Sequence, residues 1–182
     1  MRHLRSRPAA RTRLRNLGLG TAIAAAAFWL SSSRAADEAQ QAEVAQRGAQ
    51  GMPFALSSTI HIFTKTQDGG VQRLVVKDTT DLEQIKLIRK HLREMQKLFE
   101  QGDFSGPSHI HGDSMPGLAA LKAAKPGAIS YVYRDVDEGA QIAYRTNDTA
   151  VLAALHAWFD AQISNHGPDA VQGDELSRAS TR

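Results

Sequence analysis

The residues with the most chemistry lie in one short stretch, HIHGDSMPGL, His109 to Leu118. Two imidazoles, a carboxylate and a thioether fall within it. Neutral imidazole is the commonest transition-metal ligand, and a thioether adds a preference for Cu(I). His109 and His111 are two apart, so on an extended segment they face the same side. Met115 follows four residues later. His61, His91, His156 and His166 complete the imidazoles that follow the first 36 residues. His91 sits beside Leu87 and Met95 on a helical repeat. His156 holds the corresponding flank of a later repeat, and His166 lies just past its end. If those helices pack side by side and the central loop crosses their ends, His91, His111 and His156 converge. Met115 or His166 then supplies a further ligand, and Asp103 or Asp113 orients an imidazole from behind. Each residue also has an ordinary role. His91 and His156 serve as packing residues, His166 as a favourable charge at a helix C-terminus, and His61 as a solvent-facing strand residue. The two aspartates serve as turn and cap formers.

The elements that must position these groups are legible from periodicity. STIHIFTK and VQRLVVKD alternate apolar and polar residues around Asp68-Gly69, a hairpin signal. TDLEQIKLIRKHLREMQKLFEQG repeats apolar residues at helical spacing from Leu82 to Phe99. Thr80 and Glu83 match a capping box, and Gly102 is the stop. SMPGLAALKAAK predicts a short helix. AISYVYRD and AQIAYRTN flank VDEG as a second hairpin, and Asp148 caps a last helix that ends at Gly167. The order is ββα–α–ββα. It predicts an α+β domain over 58–168, with an antiparallel sheet of about four strands from two hairpins, two main helices and one short helix. Residues 36–57 read as a flexible lead-in and 169–182 as a disordered tail.

The chain has 182 residues and a formal charge of +3, with a pI of about 9.4. That charge is unevenly placed. Residues 1–36 hold seven arginines and no Asp or Glu, leaving 15 of the 22 basic residues against 19 acidic ones, a net −4. A domain of that sign gains nothing from counterion release on phosphate backbones, which argues against nucleic acid. The arginines lead into the apolar run LGLGTAIAAAAFWL and then SSSRAADEA. This is the pattern of a Sec-type signal peptide over 1–35, cleaved after Ala35 or Ala36. The arginines are never adjacent, which disfavours a twin-arginine signal. The competing reading is an uncleaved membrane anchor, which the run of 14 disfavours because a span takes about 20 residues; no membrane attachment is expected after cleavage. The destination is the periplasm or the medium. The chain has no cysteine. An exported protein of this kind has no disulfides, builds any metal site from His, Met and carboxylates, and cannot attach haem covalently.

No Gly-x-Ser-x-Gly elbow, phosphate loop, His-Glu-x-x-His or dinucleotide fingerprint occurs in the sequence. The segments TKTQDGG, KDTTDLEQIKLIRKHL, GDFSGPSHIHGDSMPGL, GAQIAYRT and LHAWFDAQISNHG together resemble a family of small exported bacterial proteins without an established function. The likeness covers about residues 59–170. The family pattern includes the positions of His91, Gly102-Asp103-Phe104, His111-Gly112, Met115 through Leu118, His156, Trp158-Phe159 and His166. It is looser at His109, which favours His111 with Met115. Some relatives carry an aspartate carbamoyltransferase label. That enzyme needs a Ser-Thr-Arg-Thr-Arg phosphate loop and two α/β domains, neither of which this sequence offers.

The sequence therefore predicts a periplasmic domain that binds a transition metal, most plausibly copper, with zinc or non-covalent haem as alternatives. The expected ligands are His91, His111, His156, Met115 and His166, with Asp103 and Asp113 behind them. The contrasting expectation is a metal-free module that docks another envelope protein through the central loop and a strand edge. A small hydrolase using His111 and Asp103 is a third. The oligomeric state is left open.

Overall fold

The computed structural model describes residues 21–173. The chain divides into two units, residues 1–35 and 36–182. The described part of the first is the opening of helix α1 (Thr21–Gly51). The arginine-rich start of the expected signal peptide and the tail from residue 174 lie outside the described residues. Among the described residues no helix is long and apolar enough to cross a membrane.

The second unit is an α+β fold. Strands β1 (Thr59–Thr66) and β2 (Gly69–Val76) form the first hairpin, and β3 (Ser130–Val136) and β4 (Gly139–Arg145) the second. The hairpins join through an antiparallel β2–β4 pair, and the sheet order is β3-β4-β2-β1-β5. The fifth strand, β5 (Ala170–Gln172), runs parallel to β1, with Ala170 opposite His61. The sheet is thus mixed and five-stranded, where the sequence predicts four antiparallel strands. The expected tail is paired at its start because Gly167, at φ +54, ends the preceding helix and turns the chain back onto the edge of β1.

Two main helices, α2 (Leu82–Glu100) and α5 (Thr149–His166), cover one face of the sheet. Asp148 caps α5, accepting from the amides of Ala150 and Val151, as its position predicts. The cap of α2 is Asp81, which accepts from Gln84 N, and Thr80 instead bonds Asp78. The helices cross over. Helix α2, which follows the first hairpin, packs mainly on β3 and β4, while α5 packs on β1, β2 and β5. Neither ββα half closes on itself, which is why two are needed.

Side chains from both halves meet in one core. Phe63, Leu74, Ile142 and Tyr144 come from the sheet, Ile88, Leu92 and Phe99 from α2, and Leu155, Trp158 and Phe159 from α5. Each large aromatic here contributes roughly 4–6 kcal/mol of gross transfer free energy, before conformational entropy is subtracted. The segment read as a flexible lead-in also joins the fold. Helix α1 continues through Gly51, with Val44 and Gly48 buried four residues apart and Phe54 buried beyond its end. So narrow a stripe leaves little periodic signal among the surrounding Ala and Gln. Two short helices, α3 (Ser105–His111) and α4 (Leu118–Ala123), link the halves.

Candidate functional site: a histidine-lined cavity

The end of the domain where α5 finishes and β1 begins holds a cavity of about 130 Å³. Five of the six histidines after the apolar leader line it: His61, His91, His109, His111 and His166. Their carriers differ. His61 lies on β1, His91 on α2, His109 and His111 on α3, and His166 at the end of α5. Met52 beyond α1 and Met95 on α2 add thioethers, Gln72 and Gln162 add amides, and Trp158 adds indole.

Local structure explains who points inward. On β1 the inner face is Thr59, His61 and Phe63, each buried, and His61 stands opposite Leu74 of β2. The alternation that favours a solvent-facing His61 is out by one residue. Phe63 shares its parity, and a strand shows alternate residues to one face. The HIH segment is not extended. It is the last turn of α3, so residues two apart diverge, and His111 is buried while His109 is exposed at the cavity rim. His91 and Met95, four apart on α2, share a helical face.

The rings are close. His61 and His166 stack with centroids 4.4 Å apart and planes 12° from parallel. His111 meets His166 edge-on at 5.0 Å, and His91 packs edge-on against Phe54 at 5.4 Å. Asn165 reaches His111 Nδ1 at 3.3 Å. Burial disfavours the imidazolium form throughout. It holds His91 at about 4 against an opposing pull from Glu94. It brings His111 to about 3, with His166 and Arg47 adding repulsion. It holds His166 at about 4, with Asp169 opposing. His61 is driven well below its ordinary value, first by burial and then by His166, His111 and His91. These four rings are neutral at pH 7.

Among the described residues, no Asp, Glu, Lys or Arg lines the cavity. Among the described residues, three buried polar side-chain atoms lack a hydrogen-bond partner: His61 Nδ1, Trp158 Nε1 and Arg73 Nε. Two of the three belong to this wall. An unpaired buried donor or acceptor costs about 1–3 kcal/mol, so each calls for an explanation.

Several sequence-derived ligands lie elsewhere. His156 does not line the cavity; its Nε2 bonds the carbonyl of Gly69 at 2.8 Å. Met115 is 4 % exposed within the hydrophobic core and is absent from the cavity wall. The expected convergence of His91 and His111 with His156 is therefore replaced by convergence with His61 and His166. Asp103 accepts from the Ser105 amide at 2.8 Å, starting α3, and Asp113 pairs with Lys122 at 3.0 Å. These are local contacts, with no imidazole among their hydrogen-bond partners. Hydrogen bonds from Ser105 to Asp103, and from Lys122 to Asp113, hold both carboxyls below the usual range. Among the described residues no three of His, Asp and Glu are grouped to hold one metal ion. The stacked pair explains part of this, because parallel rings direct their in-plane lone pairs side by side.

Sequence reading missed His61, Met52, Gln72 and Gln162 as wall residues. The parity of His61 with Phe63 was the available signal for the first. Comparison with protein-family models, curated proteins and solved structures gives no match to this chain.

Proposed function

We propose that this chain is an exported binding domain that holds a small uncharged molecule in the histidine-lined cavity. One observation carries the reading: a cavity walled by imidazole, thioether, amide and indole, with no charged side chain among the described residues. Such a wall offers hydrogen bonds and polarizable contacts without compensating an ionic charge. The size matches one aromatic ring, since an engineered cavity of about 150 Å³ holds benzene. A haem would have to part the walls. Turnover finds no support here. The lining residues include no hydroxyl, thiol, amine or carboxylate side chain, and rings held near 3 or 4 are weak general bases at neutral pH.

A second reading, Cu(I) handling, is favoured by the presence of Met52 and Met95 beside His91 in the same wall. Soft, neutral donors suit Cu(I) better than Zn(II). This replaces the earlier ligand set with one in which the thioethers are required.

The test uses Gly106 on α3. A Cβ there meets only Met95 Sδ, at 3.8 Å, so a larger side chain enters the cavity without backbone strain. Benzene and Cu(I) are titrated separately into the full chain and into Gly106→Leu and Met95→Leu. One-to-one benzene binding that Gly106→Leu abolishes supports the first reading. Cu(I) binding that Met95→Leu abolishes, with no benzene bound, supports the second. Neither probe binding the wild-type chain sinks both.

A further inference from the structure

Resting on the reading of this cavity as a small-molecule site, we infer that its occupant is recognised by the side-chain amide of Gln162, through paired hydrogen bonds to a cis N–H and C=O edge. The ligand class is a small monocyclic lactam.

Buried polar groups are almost always hydrogen-bonded, so an exception carries information. Thr59, His61, His111, Thr146 and Gln162 are the buried polar residues among those described. Thr59 donates to the Leu56 carbonyl at 2.9 Å, and Thr146 accepts from the Asp148 amide at 3.1 Å. Asn165 meets His111 Nδ1 at 3.3 Å, and His61 bonds the backbone of Asp169. The Gln162 amide hydrogen-bonds no described residue, although Gln162 is only 5 % exposed.

That amide is also within reach. Among the described residues, the unpartnered polar atoms with essentially no accessible surface are His61 Nδ1, Trp158 Nε1 and Arg73 Nε. Gln162 Oε1 and Nε2 are not among them, so they keep surface that a small molecule can touch. The surface opens into the cavity, because Trp158, Gln162 and His166, on successive turns of α5, turn one helical face toward it. The other wall amide, Gln72, is already engaged: its Oε1 accepts from the Tyr144 hydroxyl at 2.6 Å.

A glutamine amide sets one acceptor and one donor side by side in a plane. Its complement is a ring in which N–H and C=O are adjacent and cis, as in a lactam. A carboxylate has no donor and brings a charge that this wall does not neutralise. A hydrocarbon leaves both amide groups unpaired. Leu74, Leu92 and Trp158 supply apolar contact for the rest of the ring.

The full chain is titrated calorimetrically with 2-pyridone, N-methyl-2-pyridone and benzene, with toluene against benzene as a control for methyl bulk. 2-Pyridone carries the whole edge, its N-methyl form lacks the donor, and benzene lacks both. 2-Pyridone binds about tenfold more tightly than benzene, the worth of two modest hydrogen bonds, and more tightly than its N-methyl form. Gln162→Met keeps the length of the side chain without its amide, and in it the ratio of 2-pyridone to benzene affinity falls to about one. In the wild-type chain the Gln162 side-chain NH2 proton signals move downfield on adding 2-pyridone and do not on adding benzene. A merely structural role for Gln162 would move stability but neither the ratio nor these signals. If benzene binds as well as 2-pyridone, recognition by the amide is wrong while cavity binding stands. If the preference survives Gln162→Met, or the NH2 signals stay in place, Gln162 is not the reading group. If no probe binds, this inference and the small-molecule reading fail together.

Discussion

His156 and His166 lie on the same helix, yet they have opposite fates. His156, half-buried midway along α5, bonds the Gly69 carbonyl and fastens the helix to the first hairpin. Nearby, Gly117 at φ +77 lies so close to α5 that a Cβ would fall inside the contact distance of the Ala154 carbonyl. His166, at the end of α5, stacks on His61 beside a cavity. Interior close-packing is the rule, and it holds around Gly117. At the end of α5, space, neutral rings and unpaired polar atoms accumulate together. A histidine with a carbonyl partner is spent on structure; a group of them around a void is kept for something else.

The largest expected effect comes from acid. The folded-state values for His61, His91, His111 and His166 lie below the ordinary 6.5, so the unfolded chain takes up protons first as pH falls. Above pH 6.5 both states are neutral and nothing is lost. From there down to about pH 4 stability declines, by several kcal/mol in total. Denaturant melts at stepped pH measure it, and His166→Phe should flatten the slope. A flat profile between pH 6.5 and 4.5 would mean that the cluster is already hydrated or charged.

Next in size is Gly117→Ala at the packed end. Positive φ and the clash with the Ala154 carbonyl together cost about 2–4 kcal/mol, read as a lower denaturation midpoint. His156→Ala removes one part-buried hydrogen bond of the same helix, α5, and costs about 1 kcal/mol. Thermal melts check it, and ligand affinity should not move. The smallest effect on stability belongs to Gly106→Leu at the open end. The change removes a helical glycine and is neutral or stabilising by about 0.5–1 kcal/mol while it occludes the cavity. Strong destabilisation there would show that the open end is packed after all and would collapse the contrast.

Much of the fold was written in local pattern. Asp68-Gly69 and the VDEG turn set the hairpins, the apolar repeat from Leu82 to Phe99 set α2, and Asp148 and Gly167 bounded α5. These are short-range effects of turn chemistry, capping and periodicity, and a sequence displays them directly. Long-range partners are not displayed in this way. The pairing of β5 with β1 depends on where α5 ends in space, and the burial of α1 rests on a stripe of two small contacts. The candidate site was half legible. His91, His111 and His166 were flagged by residue type. His61 was assigned to the wrong face, and His156 and Met115 were drawn toward a site that they do not reach.

What the sequence determined by itself was the set of elements, their order, and a supply of imidazoles without cysteine. Only the tertiary structure decided which of those imidazoles meet. The reason is geometric. Each helix crosses to cover the other half's hairpin, so neighbours in the site come from β1, α2, α3 and α5, and no spacing along the chain encodes their approach. Whether a ring ends against a carbonyl or beside a void is fixed by that crossing and by the register of β1, where a shift of one residue exchanges the inner face for the outer.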